Sequence, residues 1–549
     1  MKFHSSALKK QNYNIDLTFN QGKATNTIIA LADNQILRTI RDIRNQDFDK
    51  ELIESLYKER DLLKKEENNI KNIKQIIKIQ EQINHLLYIP DYITVVMDKL
   101  SHYKYIYQNG IVINGNLYKR LSCSASQARV STVVLCNTEI IDEVKERLNN
   151  NRDLTKKLSP SKFNAYFGLY SSATKVVSEP KFIVVKDFIN KTTFNTNFVT
   201  ETDWDLDDEI TQIETEQEMN RTDGMGLISP KQAKIWAEEL ELDYIPSQFC
   251  VRQSFIKGML CVFDIHEFCK EKNNGNYIVD TIYKDENGNY IKADLRDYDV
   301  IISESQFKLW DSYSSVEQYI NSCHQNKLYW GITQYTPKEA KDILKLNYQF
   351  IQTLNLNEQE VERLCSQFVD WITGVNYNNL AYTLLFLLGV NNNEEKIRNF
   401  IQSSDNYWLK SLVINPEVRN DKYIRGKVYN LIKTKIKNGC LGSIYVDGNF
   451  QVIVSDPYGF MQHVCGQEVT GLLRKDEFYS NYWNNKNITQ VDSMRSPLTY
   501  RSEHVILNLR KDDETEKWYK YCYLGIIVNY HGHECFNWAG SDKFLSRNF

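Results

Sequence analysis

An α+β fold is expected, with two β-rich modules joined by a helical connector and preceded by a helical region. Three observations predict it. Residues 223–310 break into short apolar runs separated by glycines and Asn-Gly. Residues 311–437 return to helical spacing. Strand-like runs resume at Leu441. The expected segments are a helical region at 1–102, an α/β portion with an acidic linker at 103–219, a first β module at 220–310, the connector at 311–437 and a second β module at 438–549.

Within the first segment, Asp47 to Leu87 is charged and glycine-free, with apolar residues at Leu52, Leu56, Leu63, Ile70, Ile73, Ile77 and Leu87. Steps of three, four and seven predict one long helix or a helical hairpin whose Lys and Glu form a solvated face. From Tyr103 the texture changes to strand-like runs, YIYQNGIVI and STVVLC, then a helix (IIDEVKERL) and a strand (KFIVV). The acidic stretch TETDWDLDDEITQIETEQE at 200–218 has no sustained apolar period, and is expected to be an exposed linker.

In the first module, DGMGLIS, FCVRQSF, KGMLCVFDI, YIVDTIY, NYIKA and YDVIIS read as strands, and DENGNYI as a hairpin turn. The helix SPKQAKIWAEEL interrupts them, with Ser229 as N-cap and Pro230 at the first helical position. The connector carries NYQFIQTL, EQEVERLCSQFVDWI and KVYNLIKTKI. In the second module GSIYVDGNFQVIV reads as a hairpin around Asp447-Gly448, followed by the runs HVILNLR, YCYLGIIV and HECFNWA.

With 549 residues and 42% apolar content the chain can bury several cores. A net charge of -4 supplies no global basic field, so contact with nucleic acid must come from local cation clusters. The 11 cysteines include no Cys-x-x-Cys pair, which argues against a zinc ribbon or disulfide framework and predicts a reduced, cytoplasmic setting. The longest apolar run, LAYTLLFLLGV at 380–390, is about half of the roughly 20 residues a membrane span needs, so no membrane partner is expected.

Candidate chemistry lies in both modules. Lys257 sits between a strand and Gly258, with Arg252 on the preceding strand; Lys308 follows another strand. Two cations at strand ends suit a phosphate chain, although ordinary surface lysines would read the same way. Arg495 and Arg501 flank Pro497 ahead of a strand and suit a sugar or phosphate, or else a solvated loop. His531, His533 and Cys535 have zinc-ligand chemistry. Alternate residues of a strand share one face, however, and no second ligand cluster stands nearby.

Taken together, these segments resemble the single-chain two-barrel RNA polymerases, the eukaryotic-type RNA-dependent enzymes and their phage-encoded DNA-dependent relatives. Asp223, Gly224, Gly226, Ile228 and Ser229 match the family's opening DGxGxIS, and PSQFCVRQSFIKGML is similar to its GxKG segment. ESQFKLW is similar to its Ser-x-x-Lys-Phe element, LNYQFIQTL to its LNRQ-type helix, and RSPLTYRSEHV to its RNPxxHPGDI segment. KFNAYFGLYSSAT resembles a further segment, with Tyr166 where arginine is usual, and DPYGFMQH is similar to the phage-type branch. The matches span roughly 160–543.

The resemblance implies two double-psi β-barrels, the second incomplete, and template-directed nucleotidyl transfer from nucleoside triphosphates. Lys257 and Lys308 would face the catalytic loop, and Arg252, Arg495 and Arg501 would hold nucleic acid or nucleotide. The family's loop reads Ser-Asp-x-Asp-Gly-Asp, and its carboxylates hold Mg²⁺. Here Ser541, Asp542 and Lys543 are followed by Phe544, Leu545 and Ser546. Only the first aspartate is present, so Asp542 is expected to be one ligand of an incomplete Mg²⁺ site. The expectation is a chain inactive by itself, truncated within the motif and completed by splicing or by a separately encoded C-terminal fragment; the alternatives are a non-catalytic nucleic-acid-binding remnant of such a polymerase, or a structural or interaction protein with two β modules.

Overall fold

The computed structural model describes residues 33–45, 50–65, 70–86, 89–96, 100–113, 115–123, 127, 129, 132–200, 209–340, 343–346, 348–352, 354–376, 407–494 and 504–530. Helix Gln35–Ile43 begins at Asn34, whose side chain accepts from Leu37 N at 2.9 Å, and sinks Ile36, Leu37 and Ile40 into the largest core. Helices Lys50–Lys65 and Ile70–Leu86 form the hairpin alternative of the sequence reading. They close on Leu56, Ile79 and Ile83, and Arg60 Nη1 donates to Gln80 Oε1 at 2.8 Å.

A small sheet of order β1-β4-β3-β2 follows, built from β1 (Tyr92–Val96), β2 (Ile111–Ile113), β3 (Asn116–Ser122) and β4 (Thr132–Asn137). The run YIYQN is helical, contrary to expectation, as the end of Leu100–Asn109. Tyr103 and Tyr107, one helical turn apart, stack at 6.1 Å, and Gly110 at φ +74° ends the helix. Aromatic strand preference there yields to local helical packing.

The first large sheet has the order β5-β15-β10-β11-β9-β14-β6. Strands β5 (Lys175–Val176) and β6 (Phe182–Val185) enter it before the chain departs into a long arm, β7 (Ile189–Thr200) and β8 (Glu209–Asn220). Then come β9 (Met225–Ile228), β10 (Gln248–Gln253) and β11 (Ile256–Val262), a separate hairpin of β12 (Ile278–Lys284) and β13 (Tyr290–Asp294), then β14 (Val300–Ser303) and β15 (Gly331–Tyr335). The sheet therefore recruits strands from both sides of 220–310. Ser229 caps helix Pro230–Glu239 as expected, its side chain accepting from Gln232 N.

The arm corrects the linker expectation for residues 209–218. β7 and β8 pair antiparallel over their full length, with Ile189 opposite Asn220 and Thr200 opposite Glu209. Glu214, Glu216 and Glu218 alternate along an exposed face, where Lys191 Nζ meets Glu216 at 2.8 Å. The sequence of 209–218 has no apolar alternation to read as a strand.

β16 (Ile343–Lys345) and β17 (Tyr445–Asp447) pair with each other, so Asp447-Gly448 does not turn a hairpin. The local Asp-Gly signal loses to β16, a partner contributed from the far side of the connector. The second large sheet comprises β18 (Ile453–Ser455), β19 (Glu477–Tyr479), β20 (Gln490–Met494), β21 (His504–Leu509) and β22 (Ile526–Val528), in the order β18-β22-β19-β21-β20.

This order repeats the first sheet. Ranked along the chain, β6, β9, β10, β11 and β14 lie first, fifth, second, fourth, third; so do β18 to β22. The pairings also agree: parallel, antiparallel, parallel, antiparallel across each set. The molecule is α+β with two curled half-barrel sheets. A shared core joins them: Phe268 packs on Tyr458 at 5.0 Å and Phe263 on Trp518 at 5.8 Å. Among the described residues no helix is long and apolar enough to cross a membrane; the run 380–390 lies outside them.

Candidate functional site

The tight β10–β11 turn determines where the first-module cations stand. Phe255 sits at φ +59°, an uncommon conformation for a bulky residue, and is buried at 1% exposure. Contacts on several sides hold it there. Tyr319 Oη donates to Ser254 O at 2.5 Å, Tyr170 Oη and Ser254 Oγ share a 2.6 Å hydrogen bond, and the Tyr170 ring lies 5.8 Å from that of Phe255. Lys308 N donates to Phe255 O, and Lys257 N to Gln306 O, both at 3.0 Å, beside a bridge between Ile256 and Phe307. This weave brings Lys257, on β11, and Lys308, in the turn past β14, into one neighbourhood. Arg252 is the cross-strand partner of Lys257.

The electrostatics agree with that placement. Burial pushes the Lys257 ammonium below the usual lysine value; the positive charges of Lys308 and then Arg252 push it further, and only Asp223 opposes them. Burial likewise lowers Arg252. All three side chains are half-buried. Three crowded cations beside one aspartate present a site suited to an anion with several negative oxygens, such as a phosphate chain.

Gln306 ties the strands beneath this cluster. It is fully buried; its Oε1 accepts from Ser303 N at 3.1 Å, while its Nε2 donates to Gly224 O at 3.2 Å and Met259 O at 3.1 Å. Glycine is needed where it passes: a Cβ on Gly226 would stand 2.4 Å from Gln306 Oε1, and one on Gly258 2.4 Å from Gln306 Nε2. The glycines of the DGMG and KGM segments thus leave room for the strut that sets Lys257 and Lys308.

Two carboxylates, the half-buried Asp187 and the buried Asp456, brace the sheets. Asp187, just past β6, accepts from Asn220 Nδ2, Thr222 Oγ1, Ser305 N and Ser305 Oγ, and burial raises its pKa. Asp456, just past β18, caps helix Pro457–Val464 by accepting from Tyr458 N and Gly459 N, and also takes bonds from Leu472 N and Tyr519 Oη. Burial raises its pKa as well. Sequence reasoning missed Asp187, for which an aspartate closing an apolar strand was the available signal. It noted the DPYGFMQH segment without finding this bracing role.

Of the sequence-predicted residues, the structure gathers Lys257, Lys308 and Arg252. Arg495, Arg501 and Asp542 lie outside the described residues, as do His531, His533 and Cys535. Among the described residues no group of three or more His, Cys, Asp or Glu is placed to hold a metal. The cationic cluster fits phosphate oxygens and does not fit Mg²⁺.

A model of the RNA dependent RNA polymerase family matches residues 44–507. The chain is 26% identical over 426 residues to the DNA-directed RNA polymerase YonO of Bacillus phage SPbeta, covering 75% of this chain and 46% of that protein. The solved structure of the RNA dependent RNA polymerase QDE-1 from Thielavia terrestris is similar at 13% identity and a TM-score of 0.49, over 80% of this chain and 46% of that one. The chain therefore spans somewhat under half the length of each of these relatives.

Proposed function

Because the chain belongs to the RNA-dependent RNA polymerase family, we propose that it carries the phosphate-gripping part of a template-directed RNA polymerase. The family uses divalent metal ions, and its activity implies a nucleic-acid template and nucleoside triphosphates. The observation that supports the reading here is the convergence of Lys257, Lys308 and Arg252 at one strained turn. In phosphoryl transfer the protein chiefly positions groups and stabilises charge. Lys257 and Lys308 neutralise the phosphates of the growing strand or incoming nucleotide, and Arg252 adds a planar donor fork. Arg495 and Arg501 orient the nucleotide.

A divalent ion supplies activation of the ribose 3′ hydroxyl when bound, and Asp542 is this sequence's candidate ligand. A lone carboxylate does not make such a site. The reading therefore includes further aspartates from another polypeptide segment, and no nucleotidyl transfer by this chain alone. A second reading, favoured by Phe544, Leu545 and Ser546 standing where the family's next carboxylates belong, is a nucleic-acid-binding protein without catalysis.

Primer extension with Mg²⁺ and labelled nucleotides, on RNA and on DNA templates, tests both readings. The chain should be inactive alone and active when a fragment bearing the Asp-Gly-Asp continuation is added. Extension by the chain alone would refute the shared-site idea. No extension with the fragment, together with intact salt-sensitive binding, would leave the binding reading.

A further inference from the structure

Helix Lys422–Cys440 of the connector lies outside the phosphate grip described above, and its composition departs from that of the rest of the chain. Its 19 residues hold six cations, Lys422, Arg425, Lys427, Lys433, Lys435 and Lys437, and no acid. The whole chain has a net charge of -4, so those six leave -10 on the remainder. Positive charge is thus concentrated on one element of an acidic protein.

The helix is anchored on one side. Ile424, Val428 and Ile432, at four-residue steps, are buried in one cluster with Phe368, Trp371 and Leu412. Asp421 caps the first turn by accepting from Tyr423 N and Ile424 N. Lys435 is committed: its Nζ donates to Tyr445 Oη at 3.2 Å and lies 5.1 Å from the centre of that ring. The other five cations are exposed, and none of them is ion-paired among the described residues. At 3.6 residues per turn, Lys422, Lys433 and Lys437 fall within about 60° of one another around the axis, on the side away from the core. They form a row of charge along a helix about 28 Å long. Tyr423 and Tyr429 stand beside it, 61% and 64% exposed, and Lys427 Nζ lies 5.2 Å from the centre of the Tyr423 ring.

Charge complementarity selects the occupant. A basic amphipathic helix binds an anionic membrane by burying its apolar side in the headgroup boundary, but here the core already occupies that side. Single strands are held in grooves where bases stack on aromatic rings, whereas this surface is convex and Lys427 already stands over Tyr423. A duplex is a stiff rod with one charge per about 1.7 Å of axis, which a straight row of cations matches without any apolar contact. We infer that the exposed face of helix Lys422–Cys440 docks on the phosphate backbone of duplex nucleic acid, independently of sequence and separately from the Lys257–Lys308 grip. The inference rests on the polymerase reading for the presence of a duplex.

The test is fluorescence anisotropy of the full chain with a labelled DNA duplex across a salt series, with a single-stranded RNA and with phosphatidylserine–phosphatidylcholine vesicles as separate arms. Lys433→Gln combined with Lys437→Gln removes two contacts and should lower the slope of log affinity against log salt by about 1.8. The loss of affinity between 50 and 200 mM salt should then shrink by about 12-fold. Lys433→Arg combined with Lys437→Arg keeps both charges and should keep the parent's slope, and the glutamine pair should bind single-stranded RNA as the parent does. A glutamine pair that melts like the parent and keeps its slope on the duplex overturns the inference. If Lys257→Gln then still weakens single-stranded RNA, the phosphate grip stands; if it does not, that reading falls too. An effect of the glutamine pair on single-stranded RNA or on vesicles, with the duplex unchanged, likewise overturns the duplex assignment. Should that pair fail to fold, Lys422→Gln combined with Lys427→Gln takes its place, and an unchanged slope refutes the inference.

Discussion

Lys257→Met should make the protein more stable and a poorer binder of nucleic acid. In the fold Lys257 faces Arg252 directly across the hairpin, with Lys308 nearby. Like charges directly opposite in a sheet destabilise by roughly 0.2–1 kcal/mol, so deletion should return that amount. The pH dependence carries the sign of the same effect. The folded value lies below the ordinary 10.5, so between the two the unfolded chain holds more protons and stability rises with pH; the variant should lack this rise. For binding, one phosphate contact on a single strand gives a slope near -0.7, or about 2.6-fold between 50 and 200 mM salt. Contacts from Lys257, Lys308 and Arg252 together predict about an 18-fold loss of affinity over that range, and the variant about 7-fold. Denaturant unfolding and fluorescence anisotropy on an RNA oligonucleotide provide the assays. A variant destabilised by more than about 1 kcal/mol, or one with the parent's salt slope, would refute the claim that these cations are held together for phosphate.

Gln306→Leu removes three hydrogen bonds and strands Ser303 N, so it should cost about 2–4 kcal/mol by chemical denaturation. Gly226→Ala drives a Cβ to 2.4 Å from both Gln306 Oε1 and Ile301 O; a loss of at least about 1–3 kcal/mol is expected, and a neutral result would mean the strut is not tight. His463, whose Nε2 lies 3.1 Å from Lys186 O and whose ring packs against Phe188, has its pKa lowered by burial from the usual 6.5. Its unfolded form therefore takes up protons first as pH falls through 6.5, and stability should decline across that window. His463→Gln should flatten the decline in melts recorded from neutral to mildly acidic pH.

Local chemistry was legible wherever it sufficed to decide the structure. Ser229 and Pro230 start their helix as the capping pattern requires, and the Asp285 to Asn289 turn closes β12 onto β13. The cation cluster was legible as types and positions, since Lys257 and Lys308 each follow an apolar run. What escaped depends on partners remote in sequence. β17 pairs with β16 about a hundred residues earlier, across the connector. Residues 209–218 become a strand because β7 offers a complete ladder, although their sequence shows no apolar alternation. Gln306 looks like any surface glutamine until Gly226 and Gly258 are seen to make room for it.

In each five-strand set an aspartate stands just past the first strand, the half-buried Asp187 after β6 and the buried Asp456 after β18. In the first, Asp187 receives Ser305 N and Oγ from the segment just past the fifth strand, and three residues later that segment presents Lys308. In the second, the backbone carbonyl of Asp456 rather than its carboxylate accepts from Tyr530 Oη at 2.8 Å, again just past the fifth strand. Burial raises the pKa of both carboxylates, so each carries an electrostatic cost to the fold that its hydrogen bonds only partly offset. The benefit is positional. In the first sheet the chain leaving the fifth strand is fixed before it reaches Lys308, the kind of preorganisation on which the proposed phosphate grip would draw. Two copies of one topology can thereby carry different side chains beyond the clamp, and the first copy uses its own to aim a cation.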